Sequence, residues 1–232
     1  MALTDVRRTV LQIVNEVQRR LGLTATSATT SNSHAKVLVD LLNDVVDDLA
    51  DDGDWIEMMA SANVTAVSGQ AVYEIPQASS QQVVKSIDEI RISGRAPALD
   101  WFHDISEYYQ LASLRTTGTP NRAVVDGIDS NGNPTFAVWP RPGSSQDGNL
   151  FTVYFRVKPP IYAAGTDDST QVPFPSRVVI QGLHAMAILD ENDGAPTPQY
   201  QVELAKYERM KRQARNRFTS DTGDTVQFRP GR

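Results

Sequence analysis

The residues most able to do chemistry are sparse. Three histidines, His34, His103 and His184, lie far apart, and none has a metal-ligand spacing such as HxxxH. No cysteine is present to complete a zinc site, so each histidine reads as a surface or core residue. Gly127 to Gly132 and Gly143 to Gly148 have the glycine spacing of a P-loop. Asn133 and Asn149 stand where the phosphate-binding lysine must be, so both read as hairpin turns. An EF-hand register that takes Gly53 as its glycine puts Ala50 and Met59 where oxygen ligands are needed. There is no GxSxG elbow and no GxGxxG. Asn63-Val64-Thr65 is a glycosylation sequon by letter only. The 28 acids offer many carboxylate pairs, whose distances a sequence does not give. On motifs alone the chain is an α+β globular protein with no catalytic, metal or cofactor residue to assign.

Charge says more. The total is −6, which argues against nucleic-acid binding by bulk charge. The absence of cysteine excludes disulfides and fits a reducing compartment. No apolar run is long enough to cross a bilayer, and the first residues, MALTDVRRTVLQIV, do not read as a signal peptide. From Val37 to Val84 there is no Lys or Arg, while eight acids fall between Asp40 and Glu57. From Lys206 to Arg217 there are six basic residues with only Glu208 opposing. The plain reading of the acids is a solvated face. The sharper one is a contact surface, with Asp40, Asp44, Asp47, Asp48 and Asp51 facing basic residues such as Arg209, Arg212 and Arg215 of a neighbour.

The elements that must carry these charges follow from periodicity. Apolar spacing predicts a helix from Thr4 to Leu21, capped by Thr4, and a second capped by Ser33 and running to about Leu49. Thr24 to Ser33 reads as a polar loop with nothing to bury. Ala62–Val67 and Ala71–Ile75 read as a hairpin, Val84–Ile92 as a strand, Ala98–Trp101 as a short return, and Asp104–Leu114 as a surface helix. Arg122–Val125, Thr135–Trp139 and Asn149–Val157 read as three strands; in the last, Phe151, Val153, Phe155 and Val157 alternate with polar residues. Two more helices are predicted at about Ser176–Asp190, with Val179, Leu183, Met186 and Leu189 or Ala187 inward, and at Pro198–Phe218, with Leu204, Tyr207, Met210, Ala214 and Phe218 as its stripe. The fold expected is α+β: a helical bundle from 1–58 and 172–218, an inserted antiparallel β-domain at 59–171, and a flexible tail at 219–232.

The order of these features resembles the head-to-tail adaptor (connector) proteins of short-tailed bacteriophages, the tail-tubular-protein-A type. The residues carrying the resemblance are the acidic second helix, Trp55-Ile56 and the segment Val64 to Pro76. After them come Gly118-Thr119-Pro120, Trp139-Pro140-Arg141-Pro142, Tyr154 and the Pro159-Pro160 exit. The resemblance implies a non-enzymatic virion protein at the neck between capsid portal and tail, made in the host cytoplasm. It implies a ring of twelve copies that touches the portal protein and a tail or nozzle protein. DNA would pass through the lumen without specific binding, and no membrane is involved. C-terminal arms of such adaptors dock on the portal, which here points to Val226, Phe228, Arg229 and Arg232. Two other readings stay open: a cell-wall-degrading glycosidase using two carboxylates, and a monomeric β-sandwich that stacks a ligand on Trp101 or Trp139.

Overall fold

A computed structural model describes residues 7–53, 55–75, 83–95, 97–130 and 132–222, with side chains to Arg215. In chain order the helices are α1 (Val10–Arg20), α2 (Ser33–Asp52), α3 (Ile105–Ala112), α4 (Ser176–Glu191) and α5 (Pro198–Thr222). The strands are β1 (Met59–Thr65), β2 (Val72–Tyr73), β3 (Val84–Ile92), β4 (Asp100–Trp101), β5 (Thr117–Gly118), β6 (Arg122–Ile128), β7 (Pro134–Trp139), β8 (Arg141–Pro142) and β9 (Leu150–Val157). The protein is mixed α+β and divides into two compact units, Met1–Glu57 with Ile161–Arg232, and Met58–Pro160.

In the helical unit, α1 starts five residues or more after the expected Thr4. Thr9 is its cap: the Thr9 hydroxyl accepts from Gln12 N at 3.3 Å, and Gln12 Oε1 accepts from Thr9 N at 3.1 Å. This reciprocal box satisfies two orphan donors at once. Just before it the backbone is extended and paired, with Val10 N donating to Thr170 O at 3.0 Å and Val172 N to Arg8 O at 3.1 Å. The α2 cap is Asn32, whose Oδ1 accepts from Ala35 N at 2.6 Å, not Ser33. The loop before it is not idle. Thr29 is fully buried, its N donates to Asp168 Oδ2 at 3.0 Å, its hydroxyl bonds the other Asp168 oxygen, and Gly165 N donates to Thr29 Oγ1 at 2.7 Å. Asn43 likewise exchanges two hydrogen bonds with the Tyr162 backbone, at 3.0 and 2.8 Å. Residues 161–171 therefore belong with the helices rather than with the strands.

The centre of this unit is α4. It packs on α1, α2 and α5, so its whole circumference from Val178 to Ala185 is buried, including Gln181, Gly182 and His184. A single inward stripe was the wrong expectation for a helix with neighbours on three sides; Met186 and Leu189 are only half-buried. Below it, Trp55 sets its ring edge-on to Phe174 at 5.3 Å and donates its indole N–H to Leu49 O at 2.6 Å. Helix α5 continues to Thr222, past the expected Phe218. Residues 223–232, and with them Val226, Phe228, Arg229 and Arg232, lie outside the described residues.

The β unit holds a sheet in the order β1-β9-β3, another in the order β2-β7-β6-β4, and the short pair β5-β8. β9 is the middle strand of the first, and its alternation is visible in burial: Phe151, Val153, Phe155 and Val157 are buried, and the residues between them half-exposed. The expected hairpin between β1 and β2 does not form. The turn at Val67–Gln70 closes, with Gly69 at φ 80° and Gln70 N donating to Val67 O at 3.0 Å. The strands beyond it go to different sheets, β1 to β9 and β2 to β7. Nor does β4 return on β3 beyond one bridge at Arg91–Ala98; it runs parallel to β6. Tyr73 of β2 stacks on Phe136 of β7, and Phe151 of β9 meets both rings edge-on, with ring centroids 5.2–6.0 Å apart. A smaller cluster of Phe102, Tyr108, Val124 and Ala137 seats α3.

Candidate functional site

Two of the charged residues singled out in the sequence, Asp48 and Arg215, take part in a set of ion pairs between the end of α2 and α5. Asp48 points at α5. Tyr207 Oη donates to its carboxylate at 2.7 Å, and Lys211 Nζ lies 3.1 Å from the same oxygen. Lys211 is also 3.3 Å from Glu208 and 3.8 Å from Asp52, while Arg215 reaches the Asp52 carboxylate at 3.8 Å and donates to its backbone carbonyl at 3.3 Å. Lys211 is only 5% exposed. Burial works against its charge, yet Asp48 and Glu208 outweigh burial and hold its pKa above the ordinary lysine value. Tyr207 is pushed up by burial first and by Asp48 second, so it remains a donor.

These ion pairs add contacts within the chain to those expected with a neighbour. Asp48 and Arg215 pair within their own chain, through Lys211 and Asp52. Asp40, Asp44 and Asp47 stay exposed at spacings that put them on one face of α2, and Asp51 is exposed beyond them. Arg209 and Arg212 are exposed on α5, with Arg212 Nε donating back to Glu208 O at 3.2 Å. Sequence reasoning missed Lys211 because the apolar stripe passes beside it at Met210. Its place one turn after Tyr207 was the available signal.

A second polar cluster lies where α1, α4 and α5 meet. Gln181 Nε2 donates to Glu203 Oε2 at 2.7 Å, and Arg20 Nη1 donates to Gln181 Oε1 at 3.2 Å. Lys206 Nζ sits 2.6 Å from Glu203 Oε1 and, ahead of other causes, holds the Glu203 pKa below the usual carboxylate range. His184 Nδ1 is buried 3.7 Å from Glu203 with no hydrogen-bond partner. Burial lowers the His184 pKa; Glu203 and Glu191 pull it up, and Arg20 and Lys206 push it down. His184 is thus a neutral core histidine at neutral pH.

In the β unit, Trp139 packs against the small cluster under α3, and its indole N–H is shut off from water. It is a half-buried side chain whose polar edge is turned inward. Among the described residues no three His, Asp or Glu side chains are grouped to hold a metal, and no helix is long and apolar enough to cross a membrane.

A family model described as SU10 adaptor protein matches residues 8–231, which takes in both compact units. No curated protein matches the chain.

Proposed function

We propose, for a chain that belongs to the SU10 adaptor protein family, that it acts as a head-to-tail adaptor ring of the tail-tubular-protein-A type. The family is one of phage adaptors, so the protein is a structural component of a virion. The finer reading is that several copies, twelve by resemblance, close into a ring at the neck, between the portal protein and a tail or nozzle protein. The observation carrying it is that the family match spans the helical and β units together, so the whole chain is accounted for by one role. The glycosidase and ligand-module readings are not favoured.

The exposed carboxylates have a physical use in this reading. A DNA channel must pass a polyanion without holding it, and acids on its wall repel phosphate within a Debye length of about 8–10 Å. Asp40, Asp44 and Asp47 are the residues we assign to the channel wall or to a basic neighbouring surface, and Arg209 and Arg212 to contacts with acids of the next copy or the portal. Such pairs set register and on-rate more than affinity. Val226, Phe228, Arg229 and Arg232 are assigned to docking on the portal. Val226 and Phe228 fall on one side of an extended segment, and a buried Phe is a typical anchor.

The test is assembly as a function of salt and charge. Sedimentation of the chain, alone and with the portal, should show a ring-sized species whose formation weakens as salt rises. Replacing Asp40, Asp44 and Asp47 by Asn should leave the fold intact and change assembly, retention of DNA in the lumen, or both. Assembly that is tighter at high salt, with all three acids dispensable for both properties, would refute the charge assignment.

A further inference from the structure

The first β sheet has two edges of opposite character. At one edge, β3 carries Lys85, Asp88, Glu89 and Arg91, and its register with β9 slips twice, at Val84/Ser86 and Ile87/Glu89. Charge and bulges are the devices that stop a strand from pairing outward. The other edge, β1, has neither. Its sequence, MASANVT, contains no charge and no proline, and it pairs with β9 in seven consecutive registered positions without a shift. Every second residue from Met59 to Thr65 is exposed, with Met59 at 50%. Among the described residues no strand lies beyond it in the sheet order. In an antiparallel ladder alternate residues aim N–H and C=O away from the partner, so about three or four residues of β1 present open backbone pairs. The outer strands of the second sheet, β2 and β4, are two residues each, too short to template anything.

We propose that the β1 edge accepts an extended segment from a second copy of this chain, so that neighbouring copies are joined by strand addition as well as by side chains. The choice of a second copy rests on charge. Each copy carries −6, and most of its exposed helical surface near α2 is acidic. Two such copies meet with least repulsion along an uncharged strip, and β1 is the longest uncharged strand edge among the described residues. Backbone pairing supplies the affinity, and the small neutral side chains Ser61, Asn63 and Thr65 leave room for a close approach. The inference rests on the ring reading and adds the element that joins the copies.

The chain has no cysteine, so a Ser61→Cys variant carries a single attachment point for a maleimide photocrosslinker on the edge itself. After assembly, irradiation should yield a covalent pair of chains, and amide exchange across 59–65 should slow when the ring forms. Ser61→Lys with Thr65→Lys, and separately Ser61→Glu with Thr65→Glu, should each weaken assembly about ten-fold or more while the folded subunit keeps its thermal stability. Both signs must act alike, because the obstacle is a charge on the edge and not its polarity. A crosslink to the portal instead of a second copy overturns the proposal. So does unchanged assembly in both double variants, or weakening by one sign only; these results leave the ring reading standing. If the wild-type chain forms no ring, alone or on the portal, the ring reading falls and this inference with it.

Discussion

Gly182 offers the sharpest test of how the helical unit is packed. A glycine inside a helix is ordinarily a weak point, and Gly→Ala there gains roughly 0.5–1 kcal/mol. At Gly182 the opposite is expected. A Cβ at this position would stand 2.7 Å from Tyr207 Cε2 and 2.8 Å from Val45 Cγ1, inside the distances that carbon atoms tolerate. Neither neighbour can retreat easily. Tyr207 and Val45 are both buried, and the Tyr207 hydroxyl is held by Asp48 at 2.7 Å. Overpacking of this kind costs about 1–3 kcal/mol, and here it must be set against the propensity gain. The net expectation for Gly182→Ala is a loss of about 1–2 kcal/mol, or roughly 2–8 °C in Tm for a chain of this size. Urea and thermal denaturation followed by circular dichroism would measure it. Adding Val45→Ala should recover part of the loss, because one of the two clashing groups is removed. A Gly182→Ala variant as stable as the parent, or more stable, would show that α2, α4 and α5 do not approach each other as described.

Other outcomes follow from the polar contacts. Lys211→Met keeps the buried stem but leaves Asp48, Asp52 and Glu208 without their shared cation. Because those acids are partly solvated, the loss should be about 1–2 kcal/mol, below the ~3–5 of a fully buried pair, and should shrink in denaturation at low pH, where the acids are neutral. His184, held below its ordinary 6.5 by burial, binds a proton more readily unfolded than folded. Its contribution is therefore intact above about 6.5 and lost as pH falls toward its folded value; the drop in Tm between pH 7.5 and 5.5 should be smaller in His184→Gln. Thr29→Val removes the buried hydroxyl between Asp168 and Gly165 and should cost about 1–3 kcal/mol in chemical denaturation, with Thr29→Ser nearly neutral.

What the sequence made legible is what local periodicity controls. The alternation from Phe151 to Val157 is a strand with those residues buried, and the spacing of Ile13, Val14 and Val17 is the buried face of α1. Asp104 caps α3, whose side chain accepts from Ser106 N at 2.9 Å. Partner choice was less legible, because it is decided far away in sequence. Nothing within 62–75 tells that β1 joins β9 while β2 joins β7, since the turn between them has ordinary hairpin chemistry. A helix surrounded on three sides, like α4, loses the one-sided pattern that marks an amphipathic helix. Of the charged contacts within the chain, the charge imbalance pointed to the two helices that carry them, α2 and α5. It did not reveal that Asp48, itself still half-exposed, pairs with Lys211 of α5 while Asp40, Asp44 and Asp47 lie on the open face of α2, because that depends on where α4 holds α5 against the end of α2.

The adaptor role is tested most directly by mixing the purified chain with the portal and imaging the product by electron microscopy. The account predicts a closed ring of the chain seated on one face of the portal around an open lumen, and loss of that seating when residues 223–232 are removed from an otherwise folded subunit. A chain that remains monomeric beside the portal would contradict it.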